Sequence, residues 1–191
     1  MSMINAKTII LIAGVLIAAF LGVIGATEYL EWRKSSNFEK KVGGLETGES
    51  TLLRQGNKFP QVELVGLDGT STNSQTLGEG TNILYLFLSV GCDPCTEAIA
   101  SWIKFQGQIP DNVKIYGLCE DDVDYTKVYV AKTGFPFPVY CDTGHVFSVR
   151  YDMDVYPSAV GVRDDGTIAF VRHGINESFS PIEAAQKLVS E

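Results

Sequence analysis

The sequence predicts an α/β domain, with a mixed central sheet flanked by helices, carried behind an apolar amino-terminal helix. Three observations lead there. An apolar run at Asn82–Leu88 is followed by a helical segment and a second strand-like run at Val113–Leu118, the β-α-β order of a parallel pair. Two further strand-like runs, Ser158–Val162 and Thr167–Val171, flank Arg163-Asp164-Asp165-Gly166, where the D-G pair signals an antiparallel hairpin. Ahead of all this, Thr8–Ala26 is 19 residues without a charge; at ~1.5 Å rise per residue it nearly matches a ~30 Å hydrocarbon core.

Taken in order, residues 1–7 form a short flank and 8–26 a transmembrane anchor or uncleaved signal. The run exceeds the apolar length usual in a cleaved signal, although Ile24-Gly25-Ala26 is a tolerable small-residue cleavage pattern. Tyr29 and Trp32 follow at the level where amphipathic rings prefer the membrane interface. Charge leaves the orientation open. Arg33, Lys34, Lys40 and Lys41 follow the span and only Lys7 precedes it, but Glu28, Glu31 and Glu39 interleave with those bases. Residues 27–56 read as a polar linker with no sustained period, and 57–191 as the folded domain.

Within the domain, Val62–Val65 alternates and meets Leu67-Asp68-Gly69-Thr70, so an amino-terminal hairpin is expected. Asn82–Leu88 is then the central strand and Pro94–Gln106 its helix. Val113–Leu118 follows as a strand, bounded by Pro110-Asp111-Asn112. Tyr125–Lys132 reads as a helix ended by Gly134. Pro138–Cys141 is at best a short edge strand, because Pro136 and Pro138 have no N–H for a ladder. His145–Tyr151 gives a helical turn or two. After the hairpin, Ser180 caps a helix that begins at Pro181 and carries Ile182, Ala185 and Leu188 on one face.

Cys92-Asp93-Pro94-Cys95 carries the chemistry. A C-x-x-C placed where a buried strand gives way to a helix sets its first sulfur beside free N–H groups and the positive end of the helix dipole, which favours a thiolate. The two-residue gap lets the second sulfur resolve a mixed disulfide made by the first, so the pair can cycle between dithiol and disulfide. Zinc would need a second Cys or His pair, and His145 and His173 stand alone. A c-type haem attachment would need histidine where Thr96 stands. Neither metal nor other cofactor is expected beyond the redox-active Cys92–Cys95 disulfide. Asp93 beside Cys92 opposes thiolate formation and favours a reductant over a strong oxidant; Pro94 shares the tuning position, and Glu97, one turn into the helix, is a candidate proton relay to Cys95.

Cys119 and Cys141 each close a predicted strand. Two readings are open for them: a second disulfide, or two small buried hydrophobes. Glu120-Asp121-Asp122 with Asp124 lacks the spacing of a calcium loop and reads as a solvated helix-start cluster. All 23 acidic residues and 14 of the 15 basic ones follow the span, which leaves that part at −9 and argues against a nucleic-acid partner.

With these residues in place, the chain from about Gly56 onward resembles membrane-anchored thioredoxin-fold proteins of the TlpA and ResA type, a group related to the peroxiredoxins and to the AhpC/TSA redoxins. The likeness rests on Lys58-Phe59-Pro60 with Leu67-Asp68-Gly69, on the C-x-x-C after a hydrophobic strand, and on Tyr156-Pro157-Ser158 before the last hairpin. It implies a thioredoxin-like fold in which Pro157 is cis, faces the disulfide and, with Tyr156, forms the backbone platform for substrate. It also implies thiol–disulfide exchange, with Cys92 as nucleophile and Cys95 as resolving thiol. Gly91 stands where the family usually has tryptophan, so substrate choice does not carry over.

Three functions follow as expectations. The first is an anchored thiol-disulfide oxidoreductase on the extracytoplasmic side, where disulfides persist. It would reduce cysteines of exported clients, such as apocytochromes c or enzyme subunits awaiting assembly, and draw on an electron donor in the bilayer. The second is a non-catalytic accessory subunit of a membrane complex. The third, a thiol peroxidase, needs P-x-x-x-T-x-x-C; counting back from Cys92 gives Ser89 and Tyr85 instead.

Overall fold

The computed structural model describes residues 53–105 and 107–190. The expected anchor at 8–26 and nearly all of the 27–56 linker lie outside the described residues. Among those described, no helix is long and apolar enough to cross a membrane.

The amino-terminal hairpin is formed by β1 (Glu63–Gly66) and β2 (Ser71–Asn73), paired antiparallel. Its turn is closed by Gly69, whose φ of +85° suits a residue without a Cβ, and by Asp68, whose Oδ1 accepts from the Thr70 N–H at 3.0 Å. Asn73 then accepts from the N–H groups of Gln75 and Thr76 and starts α1 (Ser74–Gly78). The next strands, β3 (Asn82–Leu88) and β4 (Val113–Cys119), run parallel and in register along their whole length. Between them lies α2 (Asp93–Trp102). It ends earlier than expected: the chain tightens into a 3₁₀ turn at Ile103–Phe105 instead of continuing to Gln106, while the Trp102 indole N–H donates to the Phe179 carbonyl at 3.1 Å.

The chain continues through α3 (Val123–Thr133), capped by left-handed Gly134, then β5 (Val139–Cys141) and α4 (Val146–Tyr151). The closing unit is the hairpin β6 (Ser158–Val162) and β7 (Ile168–Arg172), followed by α5 (Pro181–Ser190). The sheet order is β2-β1-β5-β4-β3-β6-β7, mixed as expected, with β4 at its middle.

The expectation of an edge strand at Pro138–Cys141 is corrected. β5 is interior, parallel to β4 on one side and antiparallel to β1 on the other. Both prolines precede the paired residues, so no ladder donor is lost, and the Pro138 carbonyl instead accepts from Gly117 N–H at 2.9 Å.

Strand β3 is buried from Ile83 to Leu88 because both of its faces are covered. Leu84, Leu86 and Leu88 share a core with Ala98, Ile99 and Trp102 of α2 and with Ala185 and Leu188 of α5. Ile83, Tyr85 and Phe87 share the opposite core with Phe59, Leu64 and Phe147. Leu53 is buried in that second core, and the Gly56 N–H bonds the Ile168 carbonyl, so contacts with the folded unit begin ahead of residue 57.

Candidate active site

The parallel strands β3, β4 and β5 all end at one edge of the sheet, where Leu88 pairs with Cys119 and Cys119 with Cys141. From there β3 leaves through Ser89-Val90-Gly91. Gly91 has φ of +80°, a conformation that a tryptophan at this position would adopt only with strain, so this backbone suits the glycine that stands there.

Cys92 is the N-cap of α2, and its Sγ accepts from the Cys95 N–H at 3.1 Å. Pro94 falls in the first helical turn, where a missing N–H leaves no carbonyl unpaired. Cys92 and Cys95 are disulfide-bonded. Cys92 is half-buried, whereas Cys95 is fully buried in the core beside Ala98 and Ile99. The two sulfurs are therefore unequal: only Cys92 is within reach of a partner, and when the bond opens its charge would rest against an N–H and the helix dipole. Asp93 and Glu97 are exposed.

The Tyr156–Pro157 peptide is cis. Pro157 is buried at the start of β6, and its carbonyl accepts from the Ile175 N–H at 2.8 Å. Tyr156 is half-buried, with its hydroxyl 2.7 Å from the Met153 carbonyl and 2.9 Å from Glu120 Oε2. Burial, and then the neighbouring Glu120 carboxylate, push the phenol well above its usual range.

Cys119 and Cys141 are free thiols, both buried. As register partners on parallel strands they lie on the same face of the sheet. Burial pushes the Cys119 thiol up to about 12 and raises that of Cys141 as well, against the opposing pull of hydrogen bonds to Thr126. Burial outweighs those bonds, so both groups are held as neutral thiols. Among the described residues, no group of His, Cys, Asp or Glu is placed to hold a metal ion.

Part of the acidic cluster departs from its expected role. Asp122 and Asp124 do sit exposed at the start of α3, with Asp124 3.6 Å from Lys127. Glu120 and Asp121 instead turn inward. Asp121 Oδ2 accepts from Val90 N–H at 2.7 Å, from the Ser89 hydroxyl at 3.3 Å and from the Cys119 thiol at 3.5 Å. Reading the segment as a charge run missed this. The available signal was position, since these residues directly follow a parallel strand, at the edge where α/β sheets gather their functional groups.

A comparison with curated proteins finds no match. Solved structures share the fold. A secreted disulfide oxidoreductase of Mycobacterium tuberculosis, homologous to DsbE of Escherichia coli, superposes with a TM-score of 0.54 at 21% identity, covering 69% of this chain and 96% of that one. The thioredoxin domain of a thiol-disulfide oxidoreductase from Bacteroides vulgatus gives 0.58 at 17%, covering 72% and 96%. A cysteine-to-serine mutant of PrxQ from Xylella fastidiosa gives 0.60 at 16%, covering 73% and 98%. These likenesses make the fold thioredoxin-like. Residues 55–171 match the AhpC/TSA family, and the chain belongs to it.

Proposed function

We propose that the chain is a thiol-disulfide oxidoreductase, anchored in the membrane by residues 8–26 with its domain on the extracytoplasmic side, and that it reduces cysteines of exported proteins. The observation that carries this reading is the asymmetry of one bonded pair: Cys92 accessible at a helix N-terminus, Cys95 buried one turn behind it. In the reduced protein the Cys92 thiolate attacks one sulfur of a client disulfide, and the client's other sulfur leaves as a thiolate. Cys95, losing its proton, then attacks Cys92 Sγ and expels the client's second thiolate. Two electrons have passed to the client, and the Cys92–Cys95 disulfide remains. A dithiol-bearing electron donor in the bilayer would return it to the reduced form.

The clients that fit are apocytochromes c or enzyme subunits that must be kept reduced before assembly. Tyr156 and Pro157 would present backbone to the client, while Asp93 biases the couple toward reduction. The alternative is an accessory subunit of a membrane complex, with the cysteines as a stabilising bridge. Cys95→Ala separates the two. It should leave Cys92 covalently joined to a client that mass spectrometry can identify and that dithiothreitol releases. An accessory role would give no such adduct and would survive loss of Cys92.

A further inference from the structure

Glu120 and Asp121 are consecutive, yet each is bonded to a different loop of the site. Asp121 gathers three donors on one oxygen: the Val90 N–H, the Ser89 hydroxyl and the Cys119 thiol. Two of these belong to the segment that delivers Cys92. Glu120 Oε2 accepts from the hydroxyl of Tyr156, the residue whose peptide bond to Pro157 is cis, and lies 3.9 Å from His145 Nδ1. Their reach follows from topology. Strand β4 runs beside β3 with Leu88 opposite Cys119, so the first residues beyond Cys119 emerge alongside Ser89 and Val90. We infer that Glu120 and Asp121 are paired positioning residues, which tie the redox loop and the cis-proline loop to a single point at the end of β4 and so fix where Cys92 lies relative to Pro157.

Hydrogen bonds to a carboxylate are short and strong compared with neutral ones. Two of them anchored on adjacent residues constrain the distance between loops that are otherwise remote in sequence. Attack at sulfur depends on alignment, and misplacement by about 1 Å can cost a hundredfold in rate. Gly91 makes the constraint more necessary, because a residue without a side chain cannot wedge its own loop in place. The inference rests on the exchange function proposed above, but its test does not depend wholly on it.

The test uses the full-length chain with two readouts: the pH profile of Cys92 alkylation by iodoacetamide in the reduced protein, and steady-state reduction of a disulfide-bonded peptide with dithiothreitol as electron source. Asp121→Ala should move the alkylation profile and lower kcat about tenfold or more. Asp121→Asn, which keeps an oxygen for the Val90 N–H, should restore both to within about threefold. Glu120→Ala should leave the alkylation profile in place and raise KM about fivefold, with Glu120→Gln restoring it. Should the alanine variants fail to fold, Ser89→Ala removes one bond to Asp121 and Tyr156→Phe removes the bond to Glu120 together with that to the Met153 carbonyl; each should repeat the corresponding defect, and Glu120→Gln, which keeps the Met153 bond, tells the two Tyr156 contacts apart. Alanine variants that match the wild type, or amide variants as impaired as the alanines, would overturn the inference. A wild-type chain that reduces no peptide defeats the proposed function. In that event the alkylation profile still decides the placement: an unmoved Asp121→Ala profile refutes it, and a moved one upholds it.

Discussion

Asp142→Asn should stabilise the protein near neutral pH, and the gain should fade on acidification. Asp142 directly follows β5 and is 2% exposed; its Oδ2 accepts from the Phe147 N–H at 2.8 Å, while Oδ1 has no hydrogen-bond partner. Burial raises its carboxyl above the usual range, the Phe147 and Val146 N–H groups and His145 pull the other way, and Glu120 adds to the rise. A folded-state carboxyl raised above its unfolded value makes its contribution to stability fully at pH below the unfolded pKa, near 4, and loses it as pH climbs through the folded value. At pH 7 the buried carboxyl is therefore a net cost. Asparagine keeps an oxygen for the Phe147 N–H and removes the charge, but sets an amide NH2 where Oδ1 lies unpaired, so the gain comes only from the relieved desolvation of the charge. About 1 kcal/mol is expected at pH 7, or about 4 °C in Tm for a domain of this size. Thermal melts of both proteins from pH 3.5 to 8 provide the assay. A variant that is less stable at every pH would show that the carboxylate is needed as an anion, and the argument from desolvation would fail.

Other outcomes concern the sulfurs. In the reduced protein at neutral pH, iodoacetamide should label Cys92 well before Cys95, because only Cys92 is accessible; peptide mapping that finds Cys95 labelled first would reverse the assigned roles. Asp93→Asn should make the couple more oxidising in a glutathione titration, since removing a negative charge beside Cys92 favours the thiolate and hence the reduced state. The shift should be modest because Asp93 is exposed, and a more reducing variant would refute the electrostatic argument. Cys119 and Cys141 should resist labelling in the native protein and react on unfolding without any reductant, as free buried thiols do. Thiols that appear only after reduction would mean the pair is bridged.

How much of this was legible in the sequence depended on whether a feature was local. The hairpins announced themselves through Asp68-Gly69 and Asp165-Gly166, whose turn chemistry is complete within a few residues. The helix starts were equally readable, because Ser180 followed by Pro181, or a cysteine followed by Asp-Pro, states a cap directly. The place of β5 in the sheet was not readable. Its prolines suggested an edge, but whether a strand is interior depends on which other strands arrive beside it, and β1 comes from far upstream to set Val65 opposite Cys141. Glu120 and Asp121 failed for the same reason. A carboxylate facing solvent and one clamping a loop read alike in sequence, and only the folded arrangement brings Ser89, Val90 and Tyr156 to them.

Peroxide reduction is the competitor to thiol–disulfide exchange that the sequence motif tests. The structure gives physical content to the missing peroxidase motif. Where that motif has its proline, Tyr85 lies fully buried inside β3, stacked on Phe59 with ring centroids 4.7 Å apart and its hydroxyl bonded to the Ser74 carbonyl. It is a packing residue in the core opposite the disulfide and lines no approach to Cys92. Where the motif has its threonine, the Ser89 hydroxyl donates its proton to Asp121, so that proton is not available to a hydroperoxide or to the sulfur. A serine that holds its own loop suits the exchange proposed above, in which Cys95, buried one turn from Cys92 and already bonded to it, would be the resolving sulfur.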